Sequence, residues 1–304
     1  MIGNLFYWIF NMSIAATVSG FFILVFRKIK KLPRRFVCFL WLIPFLRLVL
    51  PFGISGKYSL MWLISKFSAK TVVIYELREI PVASSMNFIQ GAKSYFPIEY
   101  KHNVLEKLFE IAGLVWAVFF FSLLIAFCFL YFSTKRELSD SGHLEKNVYF
   151  SEKVSSPAVY GVFRPKIILP PSAKNRDISL VLLHENAHIK RQDNLKRVIF
   201  FIAVFVHWFN PFVWLFLKKF TEDCELACDE SVLKKLDDEG RKKYAHTILD
   251  FKERQTVFVS TFSGARVKTR IEKIISYKKI SFFSSVVFSL MCCAIFYFLA
   301  VNSI

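Results

Sequence analysis

The sequence predicts an α-helical integral membrane protein with about four spanning helices, a re-entrant segment and an inserted α+β domain. Composition is the first indication, because 55% of the 304 residues are hydrophobic and phenylalanine alone occurs 36 times, more than a soluble core uses. The second indication is a set of apolar runs, each near the roughly 20 residues that a helix needs to cross the hydrocarbon core. These runs cover residues 4–26, 36–54, 108–132 and 281–302.

The charge pattern orients these spans. The net charge of +18 is typical of basic loops beside anionic lipid, and we expect no direct nucleic-acid binding because no basic stretch outside the apolar runs carries interleaved aromatics. The connector RKIKKLPRR, residues 27–35, holds six basic residues and is therefore predicted to be cytoplasmic. Alternation then places both chain termini outside and predicts a multi-pass protein of the cell membrane.

The spans divide the chain into segments. They are residues 1–54 with the first two transmembrane helices and the basic connector, 55–107 as an exterior loop, 108–132 as the third transmembrane helix, 133–280 as a cytoplasmic domain, and 281–304 as the fourth transmembrane helix. The first span starts at the initiator methionine without a cleavage site, so we expect an anchor rather than a removable signal peptide. All six cysteines fall in apolar or cytoplasmic segments, which predicts no disulfide framework.

A further apolar run, VIFFIAVFVHWFNPFVWLFL at residues 198–217, interrupts the cytoplasmic domain. Asn210 and Pro211 lie near its middle, and proline breaks the hydrogen-bond ladder of a helix. We therefore predict a re-entrant hairpin that enters the bilayer and returns to the cytoplasmic side. His207 in this run is expected to make a local hydrogen bond rather than to bind metal.

The run LHENAHI, residues 183–189, predicts a metal site. On a helix His184 and His188 lie on one face and can hold one Zn²⁺ ion, with Glu185 beside them as a catalytic base. Asp177 is a candidate N-cap, and residues 178–197 contain neither glycine nor proline, so we predict one helix over this stretch.

A catalytic zinc site needs a third protein ligand, and TEDCELACD at residues 221–229 offers one. Glu225 is our predicted ligand. Asp229, one turn later, would accept the free ring N–H of a ligating histidine. Thr221 is a candidate N-cap for this second helix. The competing donors in the same stretch are Glu222 as the alternative ligand and Cys224 and Cys228, which either offer thiolates or simply pack.

Other candidate residues and segments have more than one interpretation. Asp193 either supports His188 or lies on a solvated face. The candidates for stabilising an oxyanion are Tyr244, His246 and Arg191, and the sequence does not choose among them. The segments AVYGVF and KIILP flank Arg164 and Pro165 and predict short strands, which either form an edge that binds a substrate strand or pack as a structural hairpin under the metal helix.

Together these motifs resemble a known family. The order of HExxH at residues 184–188, WFNPFVW at 208–214 and ELACD at 225–229 is similar to that of the membrane-embedded zinc peptidases of the BlaR1/MecR1 type, the M56 metallopeptidases. The upstream segment YGVFRPKIILP at 160–170 is similar to the family's segment before the metal helix. The likeness covers essentially the whole chain in order and in number of spans.

The resemblance implies a gluzincin-type metalloprotease domain that faces the cytoplasm, with Glu185 as general base. It also implies activation by an exterior signal, self-cleavage in the segment before the last span, and inactivation of a DNA-binding repressor. Residues 258–274 are either an exposed loop where that cleavage occurs or an ordinary linker to the last span. In the sensor-transducers a penicillin-binding domain follows the last span, and this chain is expected to lack it. An S-x-x-K match at residues 276–279 is interpreted as accidental.

Our leading hypothesis is a zinc-dependent membrane endopeptidase that transduces a signal by cleaving itself or a cytoplasmic repressor. The alternatives are an integral-membrane zinc peptidase for protein processing or quality control, and a non-catalytic membrane transducer on the same scaffold. Expected partners are a peptide or protein substrate and membrane lipid, and a homodimer is a candidate assembly.

Overall fold

The computed structural model describes residues 2–29, 32–50, 103–174, 176–252, 267–277, 279 and 281–300. The helices, numbered in chain order, are α1 (Ile2–Phe26), α2 (Arg34–Leu40), α3 (Leu42–Val49), α4 (Asn103–Glu137), α5 (Ser179–Arg191), α6 (Asp193–Val206), α7 (Pro211–Leu233), α8 (Asp238–Lys252), α9 (Val267–Ile275) and α10 (Phe282–Ala300). The strands are β1 (Gly142–Glu145), β2 (Val148–Phe150), β3 (Ala158–Tyr160) and β4 (Lys166–Leu169). Most of the predicted exterior loop, residues 55–102, lies outside the described residues.

Apolar helices match the predicted spans to different degrees. By length and composition α1 and α4 could each cross a membrane. Helix α10 contains a shorter apolar stretch, Phe282–Phe298. The second predicted span is divided at Trp41 into α2 and α3, because Pro44 has no N–H to donate to the Leu40 carbonyl. On α4, large apolar side chains such as Ile125 and Phe129 are exposed, as expected for a lipid-facing helix. The count of four spans and the orientation of the termini stay predictions.

The apolar run at residues 198–217 is not one helix. It is divided between α6 and α7. Asn210 caps α7, since its side chain accepts the Phe212 N–H at 2.9 Å, and Pro211 occupies the first helical position. The predicted N-cap at Thr221 is wrong, because α7 continues through this residue and the Thr221 hydroxyl donates to the Leu217 carbonyl. The chain thus reverses direction within the run, and entry into a bilayer stays a prediction.

Neighbouring helices form hydrogen bonds with several polar groups at the turn between α6 and α7, although His207 Nδ1 and Trp208 Nε1 are buried without a partner among the described residues. The bonds run from Asn210 Nδ2 to Ser13 Oγ and Thr17 Oγ1 (2.7 Å each), from His207 Nε2 to the Leu48 carbonyl (2.9 Å), and from Trp116 Nε1 to the Val206 carbonyl (2.7 Å). Hydrocarbon offers no hydrogen bonds, so a buried turn needs such partners. The prediction of a local hydrogen bond for His207 is wrong in its partner, because the ring bonds to Leu48 on α3, which is distant in sequence.

The helix predicted over residues 178–197 is also two helices. Asp177 Oδ1 accepts the Ser179 N–H at 2.9 Å near the start of α5. Gln192, with φ of 56°, ends α5 in the left-handed conformation, and α6 begins at the next residue. A left-handed residue turns the chain out of the helix axis. The prediction of one continuous helix was wrong at this point.

A small sheet lies beside α5. Its strand order is β1-β2-β4-β3, with β2 and β4 parallel and the other two pairs antiparallel. The strands on either side of Arg164 and Pro165 are β3 and β4, where the sequence predicted strands. Strand β4 is interior, and Ile167 and Leu169 on it are buried against Val181 of α5. Strand β3 forms an edge of the sheet and contacts α5.

Helices α1 and α7 approach closely at Gly20. A Cβ atom there would overlap the ring of Phe216, which is 1% exposed and also packs on Trp41. We expect Gly20→Leu to lower the free energy of unfolding by ~1–3 kcal/mol, the usual cost of overpacking. The measurement is thermal unfolding in detergent. Gly142→Leu is the matched control, because nothing lies within 4 Å of a Cβ at Gly142; equal effects of both variants would contradict this packing.

Candidate metal centre

Helices α5 and α7 bring three predicted ligands together. His184 and His188 project from one face of α5, and Glu225 comes from α7. The two Nε2 atoms lie 3.2 Å apart. Glu225 Oε2 lies 3.6 Å from His184 Nε2, and Glu225 Oε1 lies 3.6 Å from His188 Nε2. The reversal of the chain between α6 and α7 is what returns Glu225 to α5.

These three side chains fit a tetrahedral Zn²⁺ ion. Zinc with nitrogen and oxygen ligands at about 2.0–2.2 Å requires neighbouring donor atoms about 3.3–3.5 Å apart. The two Nε2 atoms are 3.2 Å apart, and each lies 3.6 Å from one of the two Glu225 oxygens, so the separations are close to that requirement. Three protein donors also leave the fourth position for water or substrate, which is the pattern of a catalytic rather than a closed structural site.

Asp193 supports His188. Its Oδ2 atom lies 2.9 Å from His188 Nδ1. On a continuous helix, residues five apart point about 140° away from each other, so the left-handed break at Gln192 is what turns Asp193 back toward the ring. Arg191 neutralises the same carboxylate at 3.2 Å. The Nδ1–H bond fixes the tautomer and leaves the Nε2 lone pair facing Glu225.

A second carboxylate and a tyrosine lie beside His184. The Tyr244 hydroxyl lies 2.8 Å from His184 Nδ1 and donates to Asp229 Oδ1 at 2.6 Å. Asp229 also receives two hydrogen bonds from Arg270 of α9, at 2.8 and 2.7 Å. Asp229 Oδ1 itself lies 3.4 Å from His184 Nδ1, so the carboxylate and the Tyr244 hydroxyl both face this nitrogen, and the support of His184 by Asp229 stays a prediction.

The ionisable groups of the centre shift one another's pKa values toward the charged forms. Burial opposes the charged form of His188, but the charge of Glu225 and the bond to Asp193 raise its pKa well above the usual value. Burial likewise opposes the charged His184, yet hydrogen bonds to Asp229 and Glu225 raise its pKa. Burial disfavours the charged Glu225, but the two histidines and Arg197 hold its pKa well below the usual value.

Glu185 is buried beside this centre, with a relative exposure of 7%. Burial and then the negative charge of Glu185 raise the pKa of Tyr160 on β3. The edge strand β3, which carries Tyr160, contacts α5. The backbone carbonyls of Val159 on β3 and of Gly161 just after β3 accept hydrogen bonds from the side-chain amide of Asn194, at 2.8 and 3.1 Å.

The alternative donors in the second motif lie elsewhere. Glu222 pairs with Arg27 at 2.7 Å. Cys224 Sγ lies 3.9 Å from Cys38 Sγ. Cys228 contacts the Nδ1 rather than the Nε2 atom of His188, at 3.2 Å. None of the three lies among the Nε2-facing donors.

The structure places the three oxyanion candidates away from the Nε2 atoms. The Tyr244 hydroxyl is engaged behind the His184 ring, and Arg191 is paired with Asp193 behind the His188 ring. His246 is exposed, because it lies two positions after the buried Tyr244 and so on the opposite face of α8.

Two arginines were missed by the sequence analysis. Arg197 Nη2 donates to Glu225 Oε1 at 2.7 Å, and the only sequence signal was its position immediately before the apolar run. Arg270 lies in the segment predicted to be a cleavable loop, but residues 267–275 form α9. The rest of that segment, residues 258–266, lies outside the described residues.

Two histidines and a glutamate backed by carboxylates, with a second glutamate alongside, define a candidate hydrolytic metal centre in a helical membrane protein. Comparison with known families identifies the particular class, because the family described as BlaR1 peptidase M56 matches residues 7–275. The chain belongs to this family of membrane metallopeptidases.

Curated relatives agree with this assignment. The chain is 37% identical to the regulatory protein BlaR1 of Bacillus licheniformis over 146 residues, 43% of this chain and 24% of the relative. It is 28% identical to the methicillin resistance mecR1 protein of Staphylococcus aureus over 106 residues, 34% of this chain and 18% of the relative. The chain thus spans about a quarter or less of the curated relatives that it matches.

Zinc affinity should rise with pH. In the metal-free protein the raised pKa values of His184 and His188 mean that each ring holds an extra proton below its pKa, and zinc must displace it. The affinity should therefore increase up to those pKa values and level off above them, while proton release per zinc falls. Calorimetric titration at about pH 6.5 and about pH 8.5 in buffers of different ionisation enthalpy measures both quantities. A pH-independent affinity would contradict this electrostatic arrangement.

The carboxylate behind His188 should be needed for metal binding. We expect Asp193→Asn to lower zinc affinity by ~10–100-fold, because the amide no longer favours the Nδ1–H tautomer as strongly. The control is Asp250→Asn on α8, whose side chain is 63% exposed. Competition with a chromogenic chelator measures the affinity, and an unchanged value for Asp193→Asn would rule out this support.

Proposed function

We propose that this protein is a membrane-embedded zinc-dependent endopeptidase that transduces an exterior signal by cleaving itself or a cytoplasmic transcriptional repressor. The observation that carries the proposal is the pair of histidine Nε2 atoms 3.2 Å apart on α5, each of which lies 3.6 Å from one oxygen of Glu225 on α7. The names of the relatives, a regulatory protein and a methicillin resistance protein, support a regulatory use of the peptidase.

In this proposal each side chain has one task. His184, His188 and Glu225 hold Zn²⁺, which when bound supplies the Lewis acidity that polarises a peptide carbonyl and activates a water molecule. Glu185 accepts the proton of the attacking water and delivers it to the leaving amine. Asp193 and Asp229 keep the histidine Nδ1 atoms protonated, so that the Nε2 lone pairs face the ion.

Tyr244 and Arg270 act in the proposal as supports for Asp229, rather than on the substrate. A charged Asp229 is needed to orient His184, and burial of an unpaired carboxylate is costly. Arg270 supplies the countercharge and Tyr244 relays the hydrogen bond. We therefore do not assign Tyr244 or Arg270 a role in stabilising the oxyanion.

A peptide substrate would bind between Glu185 and the edge strand β3. Peptidases commonly hold a substrate as an added strand. Because Asn194 occupies the Val159 and Gly161 carbonyls, a substrate strand on this edge would have to displace its amide. This requirement makes Asn194 a competitor for the substrate position.

Glu185→Gln should abolish cleavage while zinc stays bound. The amide cannot accept a proton, so the rate should fall by at least ~100-fold, whereas the three ligands are unchanged. Intact-mass spectrometry of the full chain in lipid nanodiscs measures self-cleavage, and a repressor-type DNA-binding protein serves as the second substrate. Cleavage by Glu185→Gln at the wild-type rate would exclude its role as base.

Metal content distinguishes the ligand from its neighbour. Glu225→Ala should lose bound zinc, and Glu222→Gln should retain one ion per chain, because Glu222 pairs with Arg27 outside the centre. Elemental analysis after dialysis makes the comparison. Zinc retained by Glu225→Ala and lost by Glu222→Gln would reassign the third ligand.

A further inference from the structure

The basic connector between the first two predicted spans contacts the helix that carries Glu225. Asp223 on α7 has a relative exposure of 0%. Its carboxylate accepts hydrogen bonds from Arg27 Nε at 2.8 Å, Arg34 Nη1 at 3.1 Å and Trp41 Nε1 at 2.9 Å. Arg27 follows α1, Arg34 begins α2 and Trp41 follows α2. Residues next to both predicted spans therefore meet at one carboxylate.

Glu230 makes a second attachment on the same helix. Its carboxylate accepts the backbone N–H groups of Arg34 at 2.8 Å and Arg35 at 3.3 Å. These N–H groups lie in the first turn of α2 and have no partner within that helix. Asp223 and Glu230 bracket Glu225 in sequence, and we call the two attachments together the connector clamp.

A buried carboxylate demands this kind of partner set. Removing one member of a buried charged group leaves an uncompensated charge and changes the local geometry. Since α7 is one continuous helix from Pro211 to Leu233, a displacement at Asp223 is carried directly to Glu225, two residues later. The hydrogen bonds of the connector clamp run to α7, whereas the two histidines that face Glu225 are on α5.

We propose that the connector clamp positions Glu225 and thereby couples the first two membrane helices to the metal affinity of the site. Asp223 and Glu230 are positioning residues in this scheme, acting through α7 on the ligand. The coupling gives the first two spans a route by which a change in their arrangement alters zinc binding. This inference rests on the proposed function of the metal centre.

The test measures Zn²⁺ affinity of the full chain in nanodiscs by chelator competition. We expect Asp223→Asn to weaken zinc binding by ~10-fold or more, as for other residues that orient ligands. The matched control is Asp238→Asn, the same chemical change at a side chain that is 92% exposed, and it should bind zinc like the wild type. Arg34→Gln should weaken binding in the same direction as Asp223→Asn.

A double variant separates positioning from general destabilisation. If Asp223 and Arg34 act as one unit, Asp223→Asn combined with Arg34→Gln should weaken zinc binding by less than the product of the single effects. A merely structural role would lower the melting temperature of the metal-free protein and leave zinc affinity of the folded protein unchanged. That result in Asp223→Asn, or in Arg34→Gln if the first variant does not fold, would overturn the inference.

The two proposals fail in different ways. If Glu225→Ala loses zinc while both clamp variants bind it like the wild type, the clamp is wrong and the metal centre stands. If the wild type binds no zinc, or Glu225→Ala binds it like the wild type, the proposed metal centre falls and the clamp falls with it.

Discussion

The return of Glu225 to α5 is the constraint on which the rest of the structure depends. Two histidines four residues apart cannot complete a catalytic zinc site, and the third donor lies beyond a long apolar run. The run therefore has to reverse, and the turn at residues 207–210 does so. Helices α1, α3 and α4 donate or accept hydrogen bonds that hold this turn in place. The packing that holds this turn therefore also determines the geometry of the metal centre.

Contacts within the protein orient the imidazoles of the site. Each imidazole has a carboxylate on its Nδ1 side, directly for His188 and through a tyrosine hydroxyl for His184. Each of these carboxylates has an arginine as countercharge, so the buried negative groups are compensated. This arrangement moves the cost of ordering the ligands into the folding of the protein and away from metal binding.

Sequence reasoning reached the parts of the site that follow from spacing. The i, i+4 histidines, Glu225 and Asp229 were predicted because helical periodicity places them on faces. The break at Gln192 could not be predicted, since only a few per cent of non-glycine residues adopt a left-handed conformation. Arg197 and Arg270 contact the site across helices, and a contact between distant segments leaves no periodic signal. The division of the second span at Trp41 did have a sequence signal, because Pro44 has no N–H to donate to the Leu40 carbonyl four residues earlier.

Helix α7 joins an apolar half to a polar half without interruption over 23 residues. At a rise of about 1.5 Å per residue, Glu225 lies about 21 Å from the start of the helix at Pro211. A tilt of about 5° around that start would move the carboxylate by about 2 Å, roughly ten times the tolerance of a metal–ligand distance. A small change in the tilt of α7, which leaves the helix itself intact, would therefore be enough to move the Glu225 carboxylate out of reach of the two histidines.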